Sequence, residues 1–482
     1  MKITGRIRNI PAPIMASLAF MLMSVVEKGL VLITSPIYTR LLTQSEFGVV
    51  SVFLSWRALL GILATFALSA GVFNIGMLDY RDDRDGYSFS MLVLSNIITL
   101  ICLAVLAALW SKIGKVFDIG LPLVFLMFLD FLLQPAFGFW MARQRFEYRY
   151  IKLTAVVTAY AVLSSAAAVA CILLFPGHRV YGRLFGGESV LLCVYFVFYI
   201  YLGVKAGWKF KTSYWKAAIM FNLPIIPHYL SGYVLNSADR IMIANMAGNA
   251  AAARYSVAYT AALAVTIVWN AVNGSLIPYT YEKCRSGDHG AIGRVAAPIT
   301  GAYAFLCCVL ILLAPELLRI MAPAGYHEAV YIIPPIVGGV FFMSLYFLFG
   351  NVVYYYKKPA YVMFASVTAA TLNVALNWIF IPRYGYAAAA YTTLFCYIVQ
   401  AALDWTAMRA VTDAKIYDMR LILLTGAGMT AVSLLSGALY RHNMLRYCAA
   451  AALFLLLFRQ RRRIFDVLAG VKEKNAALHT DI

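Results

Sequence analysis

Two charged residues inside long apolar stretches are the first features of this sequence that could do chemistry. Arg57 lies ten residues into the stretch that begins at Phe47, and Asp130 lies within LVFLMFLDFLLQ. Since charge is costly in hydrocarbon, such residues usually face a cavity or an oppositely charged partner. At about 1.5 Å per residue, Arg57 would lie about 15 Å deep, beyond easy reach of either membrane surface. We interpret Arg57 as a cavity cation that could hold an anion, with a structural ion pair to Glu27 or Asp130 as the alternative.

Two further pairs of neighbouring acidic and basic residues lie in apolar stretches. Glu27 and Lys28 are adjacent, so on a helix their side chains point about 100° apart and can serve different faces. Lys28 is therefore predicted as a second cavity cation. Arg240 is predicted as a third, with a side chain that reaches the nearby membrane surface as the alternative. Asp239 precedes Arg240, and Glu27, Asp130 and Asp239 are candidates for ion coupling or for counter-ions of the basic residues.

The composition places these residues in a membrane protein. Of the 482 residues, 63% are hydrophobic and only 13% are charged, and the mean hydropathy is +0.78. An ordinary soluble domain is about 25% charged, so cytosolic enzymes, secreted proteins and nucleic-acid binders are excluded. The net charge of +19 is therefore interpreted through the distribution of Lys and Arg between the two sides of a membrane, and not as a nucleic-acid binding surface. The eight cysteines have no CxxC spacing, so we expect neither a metal site nor a disulfide framework, and no cofactor.

Fourteen apolar runs are long enough to cross a membrane as helices of about 20 residues. They predict an all-α polytopic membrane protein, and the connections between them are too short to hold a soluble domain. The runs are 13–36, 47–75, 88–110, 119–141, 153–175, 186–204, 217–243, 255–281, 295–321, 330–354, 360–381, 386–408, 419–439 and 443–458. Asp404, near the inner end of the twelfth run, is expected at the membrane interface.

The distribution of Lys and Arg gives an orientation. With the N-terminus placed in the cytoplasm, the inner connections and termini hold 27 of the 40 basic residues and the outer connections hold ten. Cytoplasmic segments of membrane proteins carry such an excess of positive charge. We therefore predict that both the N-terminus and the C-terminus are cytoplasmic.

A kink is predicted in the seventh run, which contains NLPIIPH. Pro224 and Pro227 each remove a backbone donor and bend a helix. Because broken membrane helices tend to line substrate paths, Pro224, Pro227 and His228 are predicted to form a gating kink. A static packing kink is the alternative, and for His228 a satisfied polar side chain is preferred to a proton carrier.

The order of several motifs repeats along the chain and predicts two equivalent halves. The acid–base pairs at 27–28 and 239–240 lie 212 positions apart, and the YG dipeptides before runs 6 and 12 lie 203 apart. Since six spans separate the copies, the repeat is parallel, and we expect two pseudo-symmetric six-helix lobes followed by two added helices. The predicted organisation is a cytoplasmic N-terminus (1–12), an N-lobe (13–210), a C-lobe (211–410), helices 13 and 14 (411–458) and a basic cytoplasmic tail (459–482).

Four segments carry a resemblance to a known family. They are SPIYTRLLTQSEFGVVSVF (35–53), LPIIPHYLSGYVLNSADRIMIANMAG (223–248), LAPELLRIMAPAGYHEAVYIIPPI (313–336) and NWIFIPRYGYAAAAYTTL (377–394). In this order they resemble the polysaccharide-transporter branch of the multidrug/oligosaccharidyl-lipid/polysaccharide exporter superfamily, the bacterial flippases for O-antigen, capsule or exopolysaccharide repeat units. The likeness extends over nearly the whole chain.

The resemblance implies a V-shaped pair of six-helix lobes in the bacterial plasma membrane. It implies a flippase that moves an undecaprenyl-diphosphate-linked oligosaccharide from the inner to the outer leaflet, with the polysaccharide polymerase machinery as a partner and no nucleic acid. A diphosphate is an anion that Arg57, Lys28 and Arg240 could bind. The polyprenyl tail could stay in the lipid bilayer.

Two other functions are kept as alternatives. A multidrug or metabolite antiporter of the same superfamily is the first, although a cation exporter would favour an acidic cavity over a deep arginine. A membrane-embedded polysaccharide polymerase or ligase is the more distant one. Such an enzyme is expected to place acid–base residues on a substantial outer loop, and the outer connections here are short and carry no paired carboxylates.

Overall fold

The computed structural model describes residues 12–453 apart from positions 70 and 148, together with residue 455. The described residues contain no strand, and those up to Leu439 form seventeen α-helices. In chain order the helices are α1 (Ala12–Leu41), α2 (Gln44–Thr65), α3 (Gly71–Asp79), α4 (Arg84–Phe117), α5 (Leu121–Phe146), α6 (Tyr150–Leu174), α7 (Arg179–Lys205), α8 (Trp215–Asn222), α9 (Ile226–Tyr233), α10 (Asp239–Ala247), α11 (Asn249–Ser286), α12 (His289–Leu312), α13 (Ala314–Met321), α14 (Ile333–Tyr355), α15 (Pro359–Tyr384), α16 (Tyr386–Val411) and α17 (Met419–Leu439). Residues 443–453 are helical as well.

The helices confirm an all-α, multi-pass membrane protein. Eleven helical segments of the described chain are long and apolar enough to span a bilayer, and the bent pair over residues 212–247 makes a twelfth. These twelve coincide with the predicted runs from 47–75 to 419–439. The first run coincides with α1, the last one extends beyond the described residues, and the count of fourteen stays a prediction.

One predicted span is broken at a place that no residue pattern marks. The run 47–75 was expected to be continuous, but α2 ends at Thr65 and Phe66 and Ala67 have φ angles of +54° and +46°. This left-handed conformation is unfavourable for residues with a Cβ. Two side chains compensate by binding carbonyls at the break: Thr99 Oγ1 donates to Ala64 O at 2.9 Å, and Asn222 Nδ2 donates to Phe66 O at 2.8 Å.

A second predicted span was too long. The run 295–321 divides at residue 313, because α12 ends at Leu312 and a separate short helix, α13, begins at Ala314. Pro315 disfavours helical backbone in the residue before it, which explains a break at this place. In α13, Leu318 is buried while Ile320 is exposed, so only one face of this short helix packs on the protein.

The described residues form two compact units. Unit 1 contains the chain up to Thr260 together with Met321–Gly325 and Ser366–Ala389, and unit 2 contains the remainder. In unit 1, α7 packs along α5 and α6, and α1 packs on α6. In unit 2, α12, α14 and α17 pack on one another. The predicted six-helix lobes and their boundaries stay a prediction.

Candidate functional site

Unit 1 contains a cavity of about 700 Å³. Its walls come from α2 with the break that follows it, α5, α7 and α9, so four separate stretches of sequence meet there. Cavities of this volume are typical of small-molecule sites. The lining residues are Leu54, Arg57, Ala58, Gly61, Ile62, Thr65, Ala67, Ser69, Asp130, Phe131, Gln134, Tyr195, Tyr229 and Tyr233.

Arg57 lines the cavity and forms an ion pair. Its Nη1 donates a hydrogen bond to Oε1 of Glu188 on α7, and 29% of the Arg57 side chain remains exposed. Glu188 is 7% exposed, so the carboxylate is nearly closed off while part of the guanidinium still faces the cavity. The predicted partners, Glu27 or Asp130, were therefore wrong for the direct ion pair. Glu188 was missed because the predicted span began at 186, which put this residue at the interface; α7 begins seven residues earlier, at Arg179.

Asp130 lies beside this pair and lines the same cavity. It is 5% exposed, and its Oδ1 has no hydrogen-bond partner among the residues the structure describes. Arg57 interacts electrostatically with both carboxylates and with the phenol of Tyr195. Arg183 of α7 also interacts electrostatically with Glu188 and with Arg57, so two guanidinium groups and two carboxylates lie near one another. Asp130 is the carboxylate that has no ion pair within 4 Å in the described chain.

Glu27 and Lys28 lie on α1 and are not among the lining residues. The Glu27 carboxylate accepts a hydrogen bond from the Tyr160 hydroxyl at 3.0 Å, so it contacts α6. Lys28 is half-buried and interacts electrostatically with Glu27. The structure therefore does not bring Lys28 to the cavity that contains Arg57.

Asp239 lies in a separate buried polar network of unit 1. It begins α10 and is fully buried, and it accepts hydrogen bonds from the hydroxyl of Tyr255 and from Nδ2 of Asn377 at 2.7 Å. Asn377 also donates to Asn373 at 3.2 Å, one helical turn away on α15. This network brings together carboxylate, hydroxyl and carboxamide groups from three helices.

Arg240 makes its own contacts beside this network and interacts electrostatically with Tyr255. Its Nη1 donates to the Asn236 carbonyl at 2.6 Å, and its guanidinium lies 4.5 Å from the ring centre of Tyr259. The Tyr259 hydroxyl in turn donates to Asn236 Oδ1 at 2.6 Å. Arg240 is half-buried in these contacts and does not line the cavity.

The proline-containing segment lies at the cavity wall. Helices α8 and α9 belong to one span that is bent by 58° between Asn222 and Ile226, with Pro224 in the bend and Pro227 and His228 at the start of α9. Tyr229 and Tyr233 of α9 line the cavity. A role of this bend in gating stays a prediction.

The two broken spans of unit 1 meet at this cavity. Asn222, the last residue of α8, binds the carbonyl of Phe66 in the break after α2. Ala67 and Ser69 from that break line the cavity. Irregular backbone within membrane helices is tolerated where it is buried in protein or lines a cavity, and it often marks a site that must bind or move.

Two further results concern single residues. Asp404, expected at the membrane interface, is instead fully buried inside unit 2, because this face of α16 packs into the unit. Within the described chain, no group of three or more His, Cys, Asp or Glu residues could hold a metal ion.

Comparison with known proteins places the chain in a family. The sequence model of a family described as polysaccharide biosynthesis protein matches residues 16–282. Among curated proteins, Lsg locus putative protein 1 of Haemophilus influenzae is 29% identical over 101 residues, which are 20% of this chain and 25% of that protein. The match therefore spans about a quarter of the length of that relative.

Solved structures share the fold. The lipid II flippase MurJ, in an inward closed conformation, superposes with a TM-score of 0.65 at 11% identity and covers 94% of this chain and 100% of its own. An inward-facing multidrug resistance MATE family transporter of the MOP superfamily has a TM-score of 0.60 at 14% identity, covering 85% of this chain and 98% of its own. A MOP superfamily transporter from Pyrococcus furiosus, described as having a binding pocket of reverse polarity, has a TM-score of 0.53 at 15% identity, covering 86% and 96%.

These similarities confirm the family resemblance that the sequence motifs predicted. The structural neighbours are transporters and flippases rather than enzymes, and the chain has their multi-pass helical fold. Since the family match extends over more than half of the sequence, the chain belongs to the polysaccharide biosynthesis protein family.

Proposed function

We propose that this protein is a flippase that moves an undecaprenyl-diphosphate-linked oligosaccharide from the inner to the outer leaflet of the bacterial plasma membrane. Family membership and the transporter fold support the class of function. The observation that carries the substrate assignment is Arg57, a cation that lies in a membrane-embedded cavity and keeps 29% of its side chain exposed there. A lipid-linked diphosphate is an anion that such a cavity can accept.

The chemistry of Arg57 suits a diphosphate. A guanidinium presents a planar fork of N–H donors that matches phosphate oxygens, and its hydrogen bonds to an anion are charge-assisted. In the structure Glu188 occupies part of this fork. A diphosphate with about two negative charges can compete with one carboxylate for the remaining donors, so Glu188 would hold Arg57 in position until substrate arrives.

The rest of the cavity suits a sugar head group. Tyr195, Tyr229 and Tyr233 supply aromatic rings and hydroxyl groups to its wall, and Gln134 supplies a carboxamide. Such groups can stack on sugar faces and bond sugar hydroxyls. A volume of about 700 Å³ would accommodate a diphosphate with a small part of the oligosaccharide, while the polyprenyl tail remains in lipid.

The roles of the other predicted residues remain part of the proposal. Lys28 and Arg240 lie outside the cavity lining, so they would act as cations only in another conformation of the transport cycle. Asp130 and Asp239 are the candidate ion-coupling carboxylates, and Glu27 is the counter-ion of Lys28. The membrane potential would also assist, because two charges moving outward gain about 4–5 kcal/mol per 100 mV.

The proposed orientation places both termini in the cytoplasm. The substrate would then enter from the side of synthesis and leave on the side where polymerase machinery acts. The excess of Lys and Arg on the inner connections supports this orientation.

One observation favours a second candidate function. Asp130, a carboxylate without an ion pair within 4 Å in the described chain, lies in the cavity wall together with Arg57. A multidrug or metabolite antiporter that exports cations would use such a carboxylate to bind its cargo. The two functions differ in the charge of the cargo.

The test compares these cargoes in one system. Deletion of the gene, in a strain without a second flippase, should remove surface polysaccharide and accumulate lipid-linked repeat units at the inner leaflet. Re-expression of the wild-type chain should restore export, whereas Arg57→Ala, present at normal level in the membrane, should not. Normal surface glycan after deletion, combined with efflux of cationic dyes by the purified protein, would overturn the proposal in favour of the antiporter.

A further inference from the structure

Unit 2 contains a buried carboxylic acid to which the proposed function assigns no role. Asp404 on α16 is fully buried, with 0% exposure. Neither of its carboxylate oxygens has a hydrogen-bond partner among the residues described by the structure. By contrast, the carboxylate of Asp418 accepts hydrogen bonds from two backbone amides and so caps the start of α17. Asp404 has no comparable structural contact.

Asp404 ends a polar stripe on the buried face of α16. Thr393, Tyr397, Gln400 and Asp404 follow one another at spacings of four, three and four residues, which places them on one face of the helix. Their exposures are 2%, 3%, 3% and 0%. On the opposite side Phe395 is 50% exposed, as expected for a face turned to lipid. At about 1.5 Å per residue the stripe is about 16 Å long, half the thickness of a membrane core.

The helix that packs against this stripe is α14. Gly339 approaches so closely that a Cβ there would lie 3.2 Å from the Tyr397 ring. The titratable group of α14 that faces Asp404 is the phenol of Tyr346, which interacts with it electrostatically. Asp404 has no ion pair with a basic residue in the described chain. Tyr346 is thus the titratable neighbour from α14, and Tyr397 lies about two helical turns away on α16; neither phenol brings a positive charge.

An isolated carboxylate in such surroundings is strongly disfavoured unless a cation neutralises it. A hard metal cation takes about six or more oxygen ligands. In the described chain no group of three or more His, Cys, Asp or Glu residues could hold a metal ion, so Asp404 is not part of such a ligand set. A proton needs only the carboxylate itself.

We propose that Asp404 is a proton-binding site whose loading and release couple an inward proton gradient to export. The proton is held while this face of α16 is buried and is released when the face opens. Asp404 lies seven residues, or about 10 Å, before the end of α16 at Val411, the end that is cytoplasmic in the proposed orientation. The polar stripe extends from there toward the outer half of the helix. The coupling to a diphosphate lipid rests on the proposed function; the proton site itself does not.

The first experiment tests the proton site without substrate. Infrared difference spectra of the purified, lipid-reconstituted protein are recorded across a pH titration. We expect a protonated carboxylic-acid C=O band that is absent in Asp404→Asn and retained in Asp413→Asn, a matched change at an exposed position just beyond α16. If the two variants and the wild type give the same titrating band, the site assignment is overturned. Asp404→Glu, which should move the band rather than remove it, serves if the Asn variant fails to fold.

The second experiment tests coupling. Proteoliposomes carry a fluorescent polyprenyl-diphosphate sugar and are given either a pH gradient or a potassium diffusion potential. For one proton per cycle, a gradient of about one pH unit should shift the steady-state distribution about tenfold in the wild type and in Asp413→Asn. In Asp404→Asn this shift should disappear while potential-driven movement persists. Retention of the pH-driven shift in Asp404→Asn would overturn the proposal. If the wild type moves the lipid under neither force, the proposed function fails, and the infrared titration still decides on Asp404.

Discussion

Arg57 on α2 and Glu188 on α7 form an ion pair across 131 residues of sequence, with the arginine at the cavity and the glutamate behind it. Asp130 lies beside the pair and has no ion pair of its own in the part of the chain that the structure describes. The guanidinium therefore has two tasks: it neutralises carboxylates that are nearly buried, and it presents free N–H donors to the cavity. These tasks can be separated by substitution.

Arg57→Ala should lower both stability and export. The change removes the ion-pair partner of Glu188 and the guanidinium beside Asp130, and breaking a buried ion pair costs about 3–5 kcal/mol. Partial exposure of Arg57 and the presence of Arg183 near Glu188 should reduce this cost to the lower end. Arg57→Lys keeps the charge but loses the planar fork, so it should retain partial export. Thermal unfolding in detergent and accumulation of lipid-linked precursor measure the two effects.

The double variant Arg57→Ala with Glu188→Gln separates the tasks. It should recover most of the lost stability, because the unpaired carboxylate is removed, but it should not recover export, because the phosphate contact is still missing. Arg319→Ala, an exposed arginine on α13, is the matched control and should be neutral in both assays. Full export by Arg57→Ala at normal abundance would mean that this arginine is merely tolerated.

The break after α2 should depend on Asn222. Its side chain is 1% exposed and donates to the Phe66 carbonyl at 2.8 Å. Asn222→Ala leaves that carbonyl unpaired, and we expect a loss of about 1–3 kcal/mol in the free energy of unfolding. Asn74→Ala, at an exposed position on α3, should be nearly silent. Equal unfolding temperatures for the two variants would show that the bond does not support the break.

Ala67→Gly should act in the opposite direction. Ala67 has a φ of +46°, a conformation that glycine adopts without the Cβ penalty, so the change should relieve strain of about 1 kcal/mol. If the strain is used in transport, Ala67→Gly will be more stable and will export more slowly. A variant that is neither more stable nor slower would argue that the break is unstrained.

The sequence alone could predict the membrane class and twelve of the spans, because these depend on hydropathy and on helix length. It could not predict Glu188 as the partner, since this depends on where α7 begins and on which helices pack together. The break at Phe66 could not be predicted either, because residues 62–70 contain neither Gly nor Pro, whereas Pro224 and Pro227 predicted the bend in the later span. Asp404 was wrongly expected at the membrane interface, because its burial depends on packing against α14.

Topology mapping should place five exposed positions on defined sides of the membrane. Single cysteines at 112 and 181 should react with an impermeant thiol reagent from outside, and those at 82, 209 and 357 only after the membrane is opened. All five positions are exposed, so accessibility to the reagent is not limited by burial. Cys193 and Cys448 are exposed in the natural chain and must be replaced first. Reversal at two or more positions would overturn the orientation.

The last helical segment should be held to the protein by a pH-dependent contact in unit 2. Arg446, which is 1% exposed, donates from both terminal nitrogens to the Glu316 carboxylate of α13 at 2.5 Å, and Nη1 also donates to the Leu312 carbonyl at 2.8 Å. The Tyr447 hydroxyl donates to the same carboxylate at 2.6 Å. Hydrogen bonding from Arg446 holds the pKa of Glu316 at about 2, below its ordinary value of 4.5.

The sign of the pH effect follows from this depressed pKa. A carboxylate with a lower pKa in the folded state adds stability above its unfolded pKa, and this stability is lost as the pH falls through 4.5 toward 2. The full shift would correspond to about 3 kcal/mol, and partial exposure of Glu316 should reduce it to about 1–2 kcal/mol. Between pH 6 and pH 3 the wild type should therefore lose more stability than Glu316→Gln. Glu282→Gln, at a side chain that is 50% exposed, should follow the wild-type profile. Parallel unfolding profiles for the wild type and Glu316→Gln would show that the charged pair does not anchor residues 443–453.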